Sequence, residues 1–121
     1  MSFVKFELKK AVRIGDPCVT ISSQGMFYFN ASMVNNHVKD KQYVVYHYER
    51  GSNKIGFEFI TRQDESAYKI QRPKNIGAGY ASARSFFHYH HIDYIKPTTY
   101  KVEQDNRNKL YIIDLNKPIK K

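Results

Sequence analysis

Hydrophobic and polar residues alternate with a period of two along much of the chain, which is typical of strands that bury one face. Near the start, Val4, Phe6 and Leu8 alternate with lysine and glutamate. Later segments are rich in β-branched and aromatic residues, and these residue types favour pleated, half-buried structure. The pattern therefore predicts further strands over 18–21, 26–29, 43–48, 55–60, 67–72, 99–104 and 109–115.

Two short segments are predicted to be helical. Asn30 is a suitable N-cap for a helix over 31–38, and Ser82 is one for a second helix over 83–92. Pro97 disfavours continuation of that second helix. Because the remaining regular segments are strands, we expect a mostly β fold of the α+β class with two short helices, in a single domain over 1–121.

The second half of the chain repeats the order of the first. Gly25 and Gly77 are separated by 52 positions, and the same shift places Tyr28 on Tyr80. The hairpins match at a shift of 55 to 57 positions. We therefore interpret the chain as two β-β-α-β-β copies, over about 18–61 and 68–115, followed by a basic tail over 116–121. One such unit cannot enclose a core, but two can cover each other's apolar faces.

The sequence VTISSQGMFYFN at 19–30, a short helix and the sequence DKQYV at 40–44 resemble the AbrB/SpoVT/MazE swapped-hairpin family. Members of that family pair two chains into one interleaved barrel. Two copies in one chain would resemble the tandem arrangement of MraZ-type proteins. The resemblance thus implies a swapped-hairpin-like barrel with a pseudo-two-fold axis.

The same resemblance implies DNA binding, in the manner of a transcription regulator or an antitoxin. The family's contacts come largely from basic residues on the first turn and on the strand that follows it. At those positions the first copy carries the uncharged residues Ser22, Ser23 and Gln24. The second copy offers Arg72, Lys74 and Asn75 instead.

The charge of the chain also favours a polyanionic partner. The formal net charge is +9, and much of the excess lies near the two ends. Cations attract phosphate groups over long range and release counterions when they bind them. We therefore expect non-specific attraction from the basic N-terminal segment and phosphate or base contacts from the second copy. The predicted residues are Lys5, Lys9 and Arg13 for attraction, and Arg72, Lys74, Asn75 and Arg84 for contacts.

The sequence carries no recognisable catalytic motif. His88 and His91 are spaced for one helix face, but two imidazoles fall short of the three protein ligands that catalytic zinc normally has. We therefore expect no enzymatic activity, metal or cofactor. Cys18 is the only cysteine, so it cannot form an internal disulfide, and this favours a reducing, cytoplasmic location. No apolar run approaches the roughly 20 residues of a membrane helix.

The leading hypothesis is therefore a non-enzymatic nucleic-acid-binding protein whose partner is DNA. Three alternatives stay open. The chain could be a protein–protein interaction or structural module, it could associate with a second copy as a homodimer, or it could be a small metal-dependent enzyme that uses His88 and His91.

Overall fold

The computed structural model describes residues 16–74 and 77–119. These residues form nine strands in two sheets and two short helical segments, so the predicted mostly β fold of the α+β class is confirmed. The described strands do not form a closed barrel. The elements are β1 (Cys18–Ile21), β2 (Met26–Phe29), α1 (Ala31–Met33) with a π-helical turn (Val34–Val38), β3 (Tyr43–Glu49), β4 (Lys54–Ile60), β5 (Ala67–Lys69), β6 (Gly79–Ser82), α2 (Arg84–Tyr89), β7 (Thr98–Lys101), β8 (Glu103–Asp105) and β9 (Leu110–Asp114).

Both sheets mix strands from the two halves of the chain. The four-stranded sheet has the order β6-β2-β1-β7, and the five-stranded sheet has the order β5-β3-β4-β9-β8. Every pairing in them is antiparallel. An isolated bridge between Gln71 and Tyr80 joins the segment after β5 to β6. Neither half of the chain therefore forms a sheet by itself.

The core lies between the two sheets and is dominated by aromatic rings. Phe27 of β2 is fully buried, as the alternating pattern predicts. The centroid of its ring lies 4.8 Å from that of Phe57, 4.9 Å from that of Tyr46 and 5.0 Å from that of Phe87, all in edge-to-face arrangements. Such pairs add stability beyond the area that they bury. One side chain thus connects the four-stranded sheet, the five-stranded sheet and α2.

The first helical segment begins where the sequence predicts. The side-chain oxygen of Asn30 accepts a hydrogen bond from the Met33 amide at 2.9 Å, which is the N-cap interaction. The same oxygen accepts from the Cys18 amide at 3.1 Å, and the side-chain amide donates to the Asp16 carbonyl at 2.7 Å. Asn30 therefore fixes the start of the helix against the start of β1.

The second helix is shorter than predicted, and its predicted cap is wrong. Ser82 is the last residue of β6, where it pairs with Met26, so its backbone belongs to the sheet. Ala83 is the N-cap instead, without a side-chain hydrogen bond. The helix ends at Tyr89, and His91 has a left-handed φ of 54°. Strand pairing therefore overrides the local preference of serine for a cap.

The predicted strand over 99–104 is divided at Val102. β7 pairs with β1 in the four-stranded sheet, whereas β8 pairs with β9 in the five-stranded sheet. The Val102 amide donates to the Pro17 carbonyl at 3.4 Å, outside both ladders. One extended segment thus contributes to both sheets. The strand predicted for Val4 to Leu8 lies outside the described residues.

The described residues with left-handed φ form three pairs across the two halves. Within each pair the φ values differ by at most 5°. The separations are 52, 52 and 56 positions, which match the shifts predicted from the sequence. The pairs are Gly25 with Gly77, Lys39 with His91, and Asn53 with Lys109. Residues at these separations therefore share a left-handed φ.

Replacing Asn30 by alanine should destabilise the fold. The substitution removes the N-cap and leaves two further backbone groups without their partner, so we expect a loss of about 2 kcal/mol in the free energy of unfolding. Urea denaturation measures it. Asn35→Ala is the matched control, because Asn35 is an exposed residue of the same helical segment. Equal stability of the two variants would contradict this role for Asn30.

Candidate nucleic-acid interface

The outer surface of the four-stranded sheet is polar and aromatic. Alternate residues of β1, β2, β6 and β7 face the core, so the intervening ones face outward together. We call this surface the four-stranded face. It consists of Thr20, Met26, Tyr28, Tyr80, Ser82, Thr99 and Lys101, while Cys18, on the same side of β1, is buried.

A pair of tyrosines, of which Tyr28 is exposed and Tyr80 half-buried, lies at the centre of this face. Tyr28 and Tyr80 are directly opposite each other in the β2–β6 ladder, with ring centroids 5.5 Å apart and ring planes inclined by 39°. Tyr28 is 40% exposed, although a large aromatic residue on a strand more often packs inward. Beside the pair, the hydroxyls of Thr20 and Thr99 are hydrogen-bonded at 2.8 Å. The row thus presents ring faces and hydroxyls to solvent.

Charge is divided between the two sheets. Among the described residues, the four-stranded face carries no carboxylate, and Lys101 is its one ionised group. Strand register places five acidic side chains on the outer surface of the five-stranded sheet, with Lys54 and Lys69 as nearby cations. The acidic residues are Glu49, Glu58, Glu103, Asp105 and Asp114. A polyanion would therefore meet repulsion at the five-stranded sheet and none at the four-stranded face.

Arg72 lies beside the start of β6 and is held in a structural contact. Its guanidinium donates to the backbone carbonyls of Lys39 and Lys41, which follow the π-helical turn. A guanidinium has five donors, so this contact leaves others for a ligand. The residue therefore ties the two halves together at the edge of the four-stranded sheet, and Lys74, two positions later, is exposed.

Arg84 follows the opposite end of β6. Its Nε donates to the Gln24 carbonyl at 2.9 Å, at the tip of the β1–β2 hairpin. Gly25 permits this approach, because a Cβ there would lie 2.5 Å from the Arg84 Cγ and its φ is +78°. Arg72 and Arg84 thus flank β6 at its two ends. The other predicted residues, Lys5, Lys9, Arg13 and Asn75, lie outside the described part of the chain.

The histidine-rich end of α2 is not arranged as a metal site. His88 makes a hydrogen bond of 3.0 Å with the Tyr94 hydroxyl, while His91 lies beyond the end of the helix. Within residues 16–74 and 77–119, no three His, Cys, Asp or Glu side chains are grouped so as to hold an ion. The buried Cys18 is a free thiol whose pKa is raised, mainly by burial. A raised pKa disfavours the reactive thiolate.

His90 packs into the aromatic core, as its position on the apolar side of the helix predicts. Its ring centroid lies 4.6 Å from that of Tyr48 and 4.9 Å from that of Phe86. Its Nδ1 atom is buried without a hydrogen-bond partner among the described residues. Burial, followed by the charges of Arg50 and His91, lowers the pKa of His90 below its ordinary value. The side chain is therefore better suited to packing than to catalysis.

The role of Tyr28 in this face was missed by the sequence analysis. Tyr28 lies between Phe27 and Phe29, and the period of two places it opposite these two buried rings. That phase could have identified it as an exposed aromatic residue. By contrast, Tyr68 packs inward against Tyr46, with their ring centroids 5.0 Å apart.

No protein-family model, curated protein or solved structure matches the chain. In the described part of the chain, none of the helices has the length and apolarity needed to cross a bilayer.

The pH dependence of stability should reveal the buried imidazole. The unfolded chain protonates this histidine near its ordinary pKa of 6.5, whereas the folded protein resists protonation. The free energy of unfolding should therefore fall as the pH decreases below about 6.5. Urea denaturation over a pH series would measure this, and His90→Phe, which keeps a ring in the core, should flatten the slope. An unchanged slope in the variant would contradict the assignment.

Proposed function

We propose that the chain is a non-enzymatic nucleic-acid-binding protein that uses the four-stranded face and its flanking arginines. The observation that carries the proposal is the pair formed by the exposed Tyr28 and the half-buried Tyr80, on a surface without carboxylates among the described residues. Nucleic acids require cations for their phosphates and accept planar rings against their bases. Arg72 and Arg84 supply cations at the two ends of β6, the strand that carries Tyr80.

Single-stranded nucleic acid fits this surface better than duplex DNA. Tyrosine rings can stack only on bases whose faces are free, and the faces of duplex bases are already covered by their neighbours. Hydroxyl side chains and a thioether surround the two tyrosines. Stacking of such rings on bases does not depend on the base sequence. The family resemblance implies DNA without specifying its strands, and the tyrosine pair favours the single-stranded form.

We also propose that the architecture is a duplicated, swapped-hairpin-like unit. Four strand pairs join the halves, and two of them, β2 with β6 and β4 with β9, bring corresponding strands of the two copies together. The pair Tyr28–Tyr80 is separated by 52 positions and the pair Gly56–Ile112 by 56, which are the shifts that also relate the left-handed residues. A pseudo-two-fold axis through both pairs accounts for these numbers. On this view the tyrosine pair lies on the axis.

The implied biological role is that of a transcription regulator or an antitoxin-like protein in the cytoplasm. The resemblance supports the role, and the free, buried Cys18 is compatible with a reducing compartment. No described residue contributes to a recognisable catalytic arrangement, and we include the absence of enzymatic activity in the proposal.

A protein-interaction module is the second candidate, and exposed apolar side chains near α2 favour it. Ile95 is 78% exposed and Tyr89 is 77% exposed, on the segment that leaves the helix. Exposed apolar patches often mark protein contacts. A purified complex that survives nuclease treatment and is lost in Ile95→Ser would favour this candidate over the first.

Removal of either central tyrosine should weaken binding to single-stranded DNA. Stacking of one base contributes about 1–3 kcal/mol, so Tyr28→Ala and Tyr80→Ala should each reduce affinity by about that amount. Fluorescence anisotropy with a labelled single strand and a labelled duplex measures both affinities. Tyr89→Ala is the matched control, because Tyr89 is an exposed tyrosine outside the four-stranded face. An absence of DNA binding at low salt, or an equal loss of affinity in all three variants, would contradict the proposal.

Binding should also depend steeply on salt. Each phosphate that the protein neutralises on a single strand contributes about −0.7 to the slope of log affinity against log salt concentration. Lys74→Ala should weaken binding and make this slope shallower, whereas Lys54→Ala, on the acidic outer surface of the five-stranded sheet, should change neither. If Lys74→Ala leaves this slope unchanged, Lys74 does not contact the nucleic acid.

A further inference from the structure

A polar cavity lies away from the four-stranded face. It has a volume of about 280 Å³ and lies between the π-helical turn and the far edge of the five-stranded sheet. This size is near the lower end of the range for ligand pockets. The lining includes two lysines, two side-chain amides and three ring systems. These residues are Lys41, Lys109, Gln104, Asn106, His37, Phe59 and Tyr111.

The charge of the cavity favours an anion. No carboxylate lines it among the described residues, while Lys41 and Lys109 approach it from different elements. Asp40 is 3.8 Å from the Lys41 ammonium, but the Asp40 side chain is 84% exposed. An exposed ion pair of this kind contributes little and is screened by solvent. Lys41 is therefore free to turn its charge towards a bound anion.

One wall of the cavity is aromatic. The ring of His37 lies over that of Tyr111 with centroids 4.4 Å apart, and Phe59 is 5.6 Å from Tyr111. Burial, followed by the charge of Lys39, lowers the pKa of His37 below its ordinary value. At neutral pH the imidazole is consequently uncharged, and it continues the apolar wall. A planar ring can pack against such a wall while an attached anion reaches the lysines.

The charged residues of this cavity differ from those of a second cavity that is related to it by the repeat shifts. This second cavity, of about 240 Å³ and also lined by both halves, contains Tyr48, Asn53, Asp93 and Leu115. At shifts of 52 and 56 positions, these correspond to Gln104, Lys109, Lys41 and Phe59. The lysine of one cavity is thus replaced by an aspartate in the other. Similar backbone turns therefore frame two cavities of opposite charge, of which only the first suits an anion.

We propose that the cavity lined by His37, Lys41, Lys109 and Tyr111 binds a phosphate monoester joined through a sugar to a planar base, which is the chemistry of a mononucleotide. The lysines hold the phosphate, the aromatic wall packs against the base, and Gln104 and Asn106 offer hydrogen bonds to its edge. A free nucleotide and the phosphorylated end of a nucleic-acid strand share this chemistry. The site is independent of the four-stranded face.

Calorimetric titration of the full chain with adenosine monophosphate tests the proposal. Adenosine and inorganic phosphate, each of which lacks one half of the ligand, should bind at least ~10-fold more weakly than the nucleotide. A 5′-phosphorylated oligonucleotide, compared with the same strand without its phosphate, separates the two sources. Tighter binding of either phosphorylated ligand supports the site and identifies its source.

Substitutions then locate the binding. Lys41→Gln combined with Lys109→Asn should reduce affinity for the nucleotide at least ~10-fold. Asparagine suits position 109, because it tolerates the left-handed φ of 56° and also stands at the corresponding position 53. The control, Lys96→Gln with Lys117→Asn, removes the same charge from exposed positions outside the cavity. Circular dichroism and thermal unfolding verify that both variants are folded.

A spectroscopic measurement completes the test. A phosphate bound beside the lysines should raise the pKa of His37, which NMR titration detects in the nucleotide complex but not in the adenosine mixture. Tyr28→Ala should leave nucleotide affinity unchanged, so failure of the proposed DNA interface is distinguishable from failure of this site. No nucleotide binding, equal binding of phosphate and nucleotide, or equal losses in the two double variants would overturn the proposal.

Discussion

The packing of Phe27 is the constraint on which the rest of the structure depends. Its ring contacts rings from both sheets and from α2, so the three layers of the fold converge on one side chain. Because strands alternate, burying Phe27 requires its neighbour Tyr28 to face solvent. Tyr46 strengthens the same connection, since its hydroxyl donates to the Ser82 carbonyl at 2.8 Å across the two sheets. The core therefore determines which aromatic residues are left outside it.

The outer surfaces of the two sheets differ in the polarity and charge of their side chains. The halves exchange strands, so each sheet has an outer surface built by both. On the four-stranded face the outward positions hold hydroxyls and rings, whereas on the five-stranded sheet they hold carboxylates. A surface available to a polyanion is thus created by where the acids lie as much as by where the cations lie. Net charge alone would not have located it.

Local patterns predicted the elements well wherever the cause is local. Asn30 caps a helix, and Phe27 and Phe29 alternate with Tyr28, as the sequence indicates. Predictions were wrong where distant pairing decides, because Ser82 is held by Met26 and Val102 divides one segment between two sheets. The cavity that joins His37 to Tyr111, and the contacts of Arg72 with the carbonyls after the π-helical turn, unite residues far apart in the chain. No local periodicity contains that information.

Mapping the contact surface in solution tests the central claim most directly. Amide chemical shifts of isotopically labelled protein would be followed during titration with a single-stranded oligonucleotide. The account predicts that the largest changes cluster on β1, β2, β6 and β7, centred on Tyr28 and Tyr80, and decline with added salt. Changes confined to the outer surface of the five-stranded sheet, or none at all at low salt, would contradict it.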